Sequence, residues 1–205
     1  MGALDGIGRR PHPSQLLNLE AFNLNDFAAL VRARRSTMAV QPDVPVPRDT
    51  IRALCELAQS APNHKRTWPW RFALADGDGR SRLGNVIADA MELFGDTAEK
   101  VASRRTKYLR TPAILVVGSA AGDSELRTAE NRDAVAAGVE NLLLAATAHG
   151  LASYWTSCPT GANDATAALC GFDAGTTIVA IVYLGWAAAP APAIPRPPAE
   201  LNIIE

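Results

Sequence analysis

Strand signals alternating with helix signals place the chain in the mixed α and β class, and the pattern by itself reads as a doubly wound parallel sheet. Two observations carry that expectation. Residues 113–117, Ala-Ile-Leu-Val-Val, form an unbroken aliphatic run of strand length that must be buried on both faces. Residues 131–149 then place Val135, Val139, Leu142, Ala146 and His149 on one stripe of the longest helix, with Gly150 as its stop. A third observation complicates the reading. After Gly185 the chain carries Pro190, Pro192, Pro195, Pro197 and Pro198 and ends in Leu201, Ile203 and Ile204. It must therefore run extended, either docking on a partner's sheet edge or staying disordered.

The remaining elements follow in order. Residues 1–22 are expected to be a flexible extension, since two prolines and two arginines interrupt any apolar run near the start. Asn25 can cap a first helix with Leu24, Phe27 and Val31 on one face, and prolines 42, 45 and 47 then turn the chain. Asp49 or Thr50 can cap the next helix, where Ile51, Leu54, Leu57 and Ala58 keep helical period up to Pro62. Residues 71–75 read as a strand, 79–94 and 97–107 as polar helices, and 151–155 and 177–184 as strands. Asn163 and Asp164 can cap a short helix ending before Gly171.

Bulk properties narrow the function. The 205 residues are 48% hydrophobic and 20% charged, enough for one substantial core, so 23–205 reads as a single domain with an arm at 190–205. Lys+Arg 20 against Asp+Glu 21 leaves no global positive field for nucleic acid or an anionic membrane. The most apolar stretch, 134–148, is broken by Glu140 and Asn141 and is too short to span a bilayer. Cys55, Cys158 and Cys170 have no short paired spacing, which argues against disulfides or zinc and for a reducing, cytoplasmic setting.

Several motifs fail as chemistry. Asp76-Gly77-Asp78-Gly79 lacks the twelfth-position Glu of a calcium loop, and its aspartates would repel a pyrophosphate, so it reads as a surface turn. His149 is expected to be a core or capping histidine. No Gly-x-Ser-x-Gly elbow supports a hydrolase triad.

Two segments remain. Arg34-Arg35-Ser36 offers two fixed guanidinium groups and a hydroxyl, a set that suits a phosphate and equally answers the C-terminal dipole of the first helix. Ala61-Pro62-Asn63-His64-Lys65, leading into Trp68-Pro69-Trp70, combines restrained backbone, polar groups and flat apolar surface. It is either a ligand loop or a plain connection with Trp70 in the core.

In linear order these segments are followed by 139–146 (Val-Glu-Asn-Leu-Leu-Leu-Ala-Ala), His149-Gly150-Leu151, Tyr154-Trp155-Thr156-Ser157 and Val182-Tyr183-Leu184-Gly185. Together they resemble the nitroreductase family from about residue 23 onward, and the His-Lys loop is similar to that of its compact bacterial branch. The resemblance implies an α+β three-layer sandwich, a mainly antiparallel sheet flanked by helices, in place of the parallel sheet. It also implies a homodimer with exchanged C-terminal arms and FMN sites at the interface. By position, Arg34, Arg35 and Ser36 would hold the phosphate and ribityl end. Gln59 and Asn63 would reach flavin from the neighbouring subunit, Trp155, Thr156 and Ser157 would line the isoalloxazine, and Arg196 would close on the phosphate. Lys65 or Arg34 would answer negative charge at the pyrimidine edge.

The implied activity is an oxidoreductase that passes hydride from NAD(P)H to a nitroaromatic, a quinone or a related small-molecule acceptor by a ping-pong mechanism with no general base. An ene-reductase or dehalogenase of the same family, a flavin sensor or carrier without turnover, and a binder of some other phosphate ligand are the alternatives. One departure is Trp68, where many members carry Gln before the Pro-Trp pair. Residues 79–110, rich in charge, are expected to form the rim that selects acceptors.

Overall fold

A computed structural model describes residues 23–204, so the expected flexible extension at 1–22 lies outside the described residues. Six helices surround one four-stranded sheet: α1 Leu24–Ala33, α2 Arg48–Ala58, β1 Trp70–Asp76, α3 Gly79–Phe94, α4 Ala98–Lys107, β2 Ala113–Ser119, α5 Glu125–Ala148, β3 Leu151–Thr156, α6 Asn163–Leu169 and β4 Thr177–Trp186. The strand order is β1-β2-β4-β3 and every neighbouring pair is antiparallel. The parallel sheet suggested by alternation is thereby replaced by the α+β arrangement. Alternation fails as a guide because it records which faces are covered and carries no information on strand direction.

The central strand shows why. Along β2 the pleat sends Ala113, Leu115 and Val117 to one face and Ile114 and Val116 to the other. The first set meets Leu54 of α2 and Val135, Val139 and Leu142 of α5. The second meets Leu83 and Ile87 of α3, Tyr108, and Ala167 of α6. Helices on both sides bury the strand entirely, so an unbroken aliphatic run is needed although the sheet is antiparallel. The result is three layers: α2 and α5, the sheet, then α3, α4 and α6.

Caps explain where the boundaries shift. Asn23, not Asn25, caps α1, because its Oδ1 accepts the Asn25 N–H at 2.9 Å. Arg48 opens α2 directly after Pro47, leaving Asp49 inside the first turn, where it still complements the dipole. The Arg48 guanidinium grips Asp76 through two hydrogen bonds, 2.9 and 3.1 Å, tying the start of α2 to the end of β1 and holding that carboxyl below its usual range. Ser124 accepts the Arg127 N–H, so α5 begins six residues before the expected 131. Asn163 does not cap α6: it accepts from Ile178 N at 2.8 Å and donates to Thr176 O at 3.0 Å, stapling α6 to β4. Of the two places expected for His149, core or cap, the structure shows the cap: it is exposed at the C-cap of α5.

Gly138 lets three elements meet. A Cβ there would stand 2.5 Å from both Ala58 O and Trp70 Nε1, so its absence allows α2 and β1 to close on α5. By contrast α1 buries none of its residues, and Leu24, Phe27 and Val31 face outward.

Candidate functional site

The turn after α1 is laid along the outer edge of the sheet. Ser36 forms a parallel bridge to Ser153 of β3, and Thr37 N donates to Ser153 O at 2.9 Å. Trp155 lies two residues further along β3, roughly 6.6 Å at strand rise. Phosphate-type donors and the 155–157 segment therefore share one edge.

Arg35 bends back over the end of α1. Its Nη1 donates to Arg34 O at 2.6 Å and, closer still, to Arg32 O, while Nε donates to Pro192 O at 3.2 Å. The helix-end role and the ligand role thus coexist: one edge of the fork caps carbonyls, and among the described residues Nη2 has no partner. The Pro192 contact brings the C-terminal arm to this turn, four residues before the exposed Arg196. Arg34 is half-buried and its Nε pairs with Glu140 of α5 at 3.0 Å, so it braces α1 on α5 as well as facing the turn. Ser36 and Ser157 are exposed; Thr156 is half-buried. The Trp155 indole is half-buried against the α5-side core and donates to Val179 O at 3.2 Å, leaving only part of it to face a ligand.

Gln59 and Asn63 lie elsewhere, in an open groove with Glu56, Ser60, Arg66 and Trp68 at the head of β1. Since β1 and β3 are opposite edges of the sheet, the two halves of the expected site are separated within one chain by three strand spacings, roughly 14 Å. The loop itself is under tension. Lys65, Arg66 and Trp68 all have positive φ, 62°, 53° and 49°, each costing about 1–2 kcal/mol for a non-glycine residue.

What holds it is a polar relay that the sequence reading did not single out. Asn63 Oδ1 accepts Trp68 N at 2.9 Å and its Nδ2 donates to Thr67 Oγ1 at 3.0 Å. Thr67 Oγ1 donates to Asn131 Oδ1 at 2.5 Å, and the buried Asn131 donates to Ala120 O at 3.1 Å. Asn63 is thus a loop brace, with its carboxamide engaged inside the chain. A polar Asn131 four residues before Val135, on the apolar stripe of α5, was the available signal. His64 leaves the groove altogether. Its Nδ1 lies 3.0 Å from Glu130 Oε1 and 2.8 Å from Arg127 Nη1, in a small charged cluster on α5. Lys65 is exposed, as is Trp68, whose ring stands 6.3 Å from that of the buried Trp70.

The donors at the β3 edge fit a phosphate-bearing flavin: two guanidinium groups, a free hydroxyl, and a third guanidinium on an arm hydrogen-bonded to the same turn. Burial pushes the Cys55 and Cys170 thiols up to about 11 and raises Cys158 as well, which disfavours the reactive thiolate at all three.

Comparison with known proteins agrees with this geometry. The family model described as the nitroreductase family matches residues 31–186. The provisionally named NAD(P)H nitroreductase YfhC of Bacillus subtilis strain 168 is 30% identical over 131 residues, 62% of this chain and 67% of that protein. A nitroreductase-like family protein from Bacillus cereus superposes with a TM-score of 0.75 at 29% identity, covering 87% of this chain and 95% of its own. The FMN-dependent nitroreductase NfnB from Mycobacterium smegmatis, solved in complex with NADPH, shares the fold at TM-score 0.64 and 23% identity, over 80% and 89% of the two chains. With the matched segment running from inside α1 to the last residue of β4, the chain belongs to the nitroreductase family.

Proposed function

We propose that the chain is an FMN-dependent oxidoreductase that uses NAD(P)H to reduce nitroaromatic, quinone or related acceptors in ping-pong order. The observation that supports this reading is the Ser36 to Ser153 bridge, which lays the turn that carries Arg34, Arg35 and Ser36 along β3, the strand that leads into Trp155, Thr156 and Ser157. The chemistry that FMN supplies when bound is hydride acceptance from the nicotinamide and its delivery to the acceptor. Arg35, through Nη2, and Ser36 bind the phosphate, and Arg34 adds charge from its brace on Glu140. Arg196 closes over it from the arm. Trp155, Thr156 and Ser157 provide the surface for the flat ring, and Lys65 supplies positive charge at its pyrimidine edge.

The reading further makes the working unit a homodimer, in the cytoplasm. The exposed Leu24 of α1 and the exposed Leu201, Ile203 and Ile204, 76–97% accessible, call for a partner surface. A two-fold pair brings the Gln59 groove of one chain to the β3 edge of the other, which joins the separated halves. Removal of residues 190–205 should then yield monomers that release flavin, as judged by sedimentation with absorbance at the flavin band. A truncated dimer that retains its flavin would refute arm exchange. The reading as a whole is tested by the cofactor content of the purified protein: about one FMN per chain is expected, and a protein that is colourless and cannot be reconstituted with FMN would overturn it.

A further inference from the structure

A bulky residue at positive φ is uncommon, and it persists only where its surroundings over-determine it. Trp68, at φ 49°, is such a residue, and core packing does not account for it, because it is 59% exposed. What fixes it is polar. Its N–H donates to Asn63 Oδ1 at 2.9 Å and its carbonyl accepts from Arg71 Nη1 at 3.2 Å, so side chains tie both of its backbone groups. Asn63 is tied in turn through Thr67 to the buried Asn131. The indole leans on the buried Trp70, with the rings 6.3 Å apart and inclined at 52°.

Trp68 lines the open groove at the head of β1, whose volume of about 510 Å³ suits a small organic molecule. Glu56 and Arg66 line it with opposite charges, which gives it no bias toward an anion or a cation. Ser60, just past the end of α2, also faces it, and among the described residues its hydroxyl has no hydrogen-bond partner, so it can donate to an oxygen of the occupant. A rigid indole offers broad flat surface with little freedom to lose, and its electron-rich face pairs by offset stacking with electron-poor rings.

We propose that Trp68 is a specificity-determining residue for the acceptor: it stacks on the flat, electron-poor rings of nitroaromatics and quinones and favours them over saturated molecules of the same size. This rests on the proposed function for the groove to stand over the flavin of the other chain. The preference for a flat ring belongs to the groove itself.

Nitrobenzene and nitrocyclohexane share a nitro group and a six-membered ring, and only the first ring is flat. Binding of each to the purified full chain is measured by titration calorimetry with no nicotinamide present, so that nothing turns over. The parent should favour nitrobenzene. Trp68→Leu should lower that preference about three- to tenfold, the range one aromatic contact gives beyond its buried area, and Trp68→Phe should keep most of it. Both variants leave a bulky side chain at the strained position, so neither relaxes the loop. In steady-state reduction of p-benzoquinone, Trp68→Leu should raise KM with kcat nearly unchanged, a split that a merely structural residue would not give. Bleaching of the parent by NADPH or NADH reports on the proposed function alone, and a protein that does not bleach refutes that reading. The role of Trp68 is overturned separately, by a parent that binds both compounds alike or neither, or by a ring preference that survives Trp68→Leu or falls equally in Trp68→Phe.

Discussion

Asn131→Ala should loosen the Asn63 to Trp68 loop although Asn131 touches no proposed ligand. The side chain is 2% exposed, accepts from Thr67 at 2.5 Å and donates to Ala120 O at 3.1 Å. Each bond is worth about 1 kcal/mol net, and the Ala120 carbonyl would keep only the long Ser119 Oγ contact at 3.5 Å, while Thr67 is exposed and can turn to water. Roughly 2–3 kcal/mol of global stability should be lost, read from urea denaturation followed by tryptophan fluorescence. A local effect should accompany it. The three positive-φ residues store about 3–6 kcal/mol of backbone strain, which a freed loop can relax, so its amides should exchange faster than those of β1. Asn131→Asp should be at least as damaging, because it keeps the acceptor for Thr67 but turns an oxygen toward Ala120 O in a buried position. A variant within about 0.5 kcal/mol of the parent, with unchanged loop exchange, would show that the relay does not hold the loop.

Other perturbations have equally definite expectations. Gly138→Ala should cost about 1–2 kcal/mol despite the better helix former, because its Cβ meets backbone at Ala58 and the Trp70 ring at 2.5 Å; Gly79→Ala, whose nearest neighbour is Ala75 Cβ at 3.6 Å, should be neutral or stabilising in the same thermal melts. Arg35→Ala should weaken FMN by on the order of 1.5–3 kcal/mol while affecting riboflavin little, and equal losses for both would restrict Arg35 to holding the helix end and the arm. Cys55 and Cys170 should resist a thiol reagent at pH 8 and react in the native state only as pH approaches about 11, since burial disfavours the thiolate; rapid labelling at neutral pH would contradict that burial.

The sequence was most legible where one physical requirement dominates. The aliphatic run of β2 had to be buried on both faces, and so it is, at the centre of the sheet. All four strands and six helices were visible from periodicity and stop signals, and Trp70 went to the core. Strand direction was not visible, because helices on both faces demand the same residues of parallel and antiparallel strands. Helix starts shifted where a side chain one or more turns earlier could cap, as Ser124 does for α5. The Arg34 to Ser36 turn and the 155–157 segment were legible as separate motifs, and only the pairing of Ser36 with Ser153 shows that they share one sheet edge. The Thr67 to Asn131 link spans sixty-four positions and could not be read from local pattern.

The central claim is that this chain binds FMN and turns it over, and anaerobic stopped-flow spectroscopy of the purified protein tests it most directly. Mixing with NADPH or NADH should bleach the flavin band at a rate that saturates with donor, and subsequent mixing with a nitroaromatic or a quinone should restore it in a separate phase. Flavin that neither nicotinamide reduces, or that is reduced but returns no electrons to either acceptor, would contradict the account and leave a flavin carrier in its place.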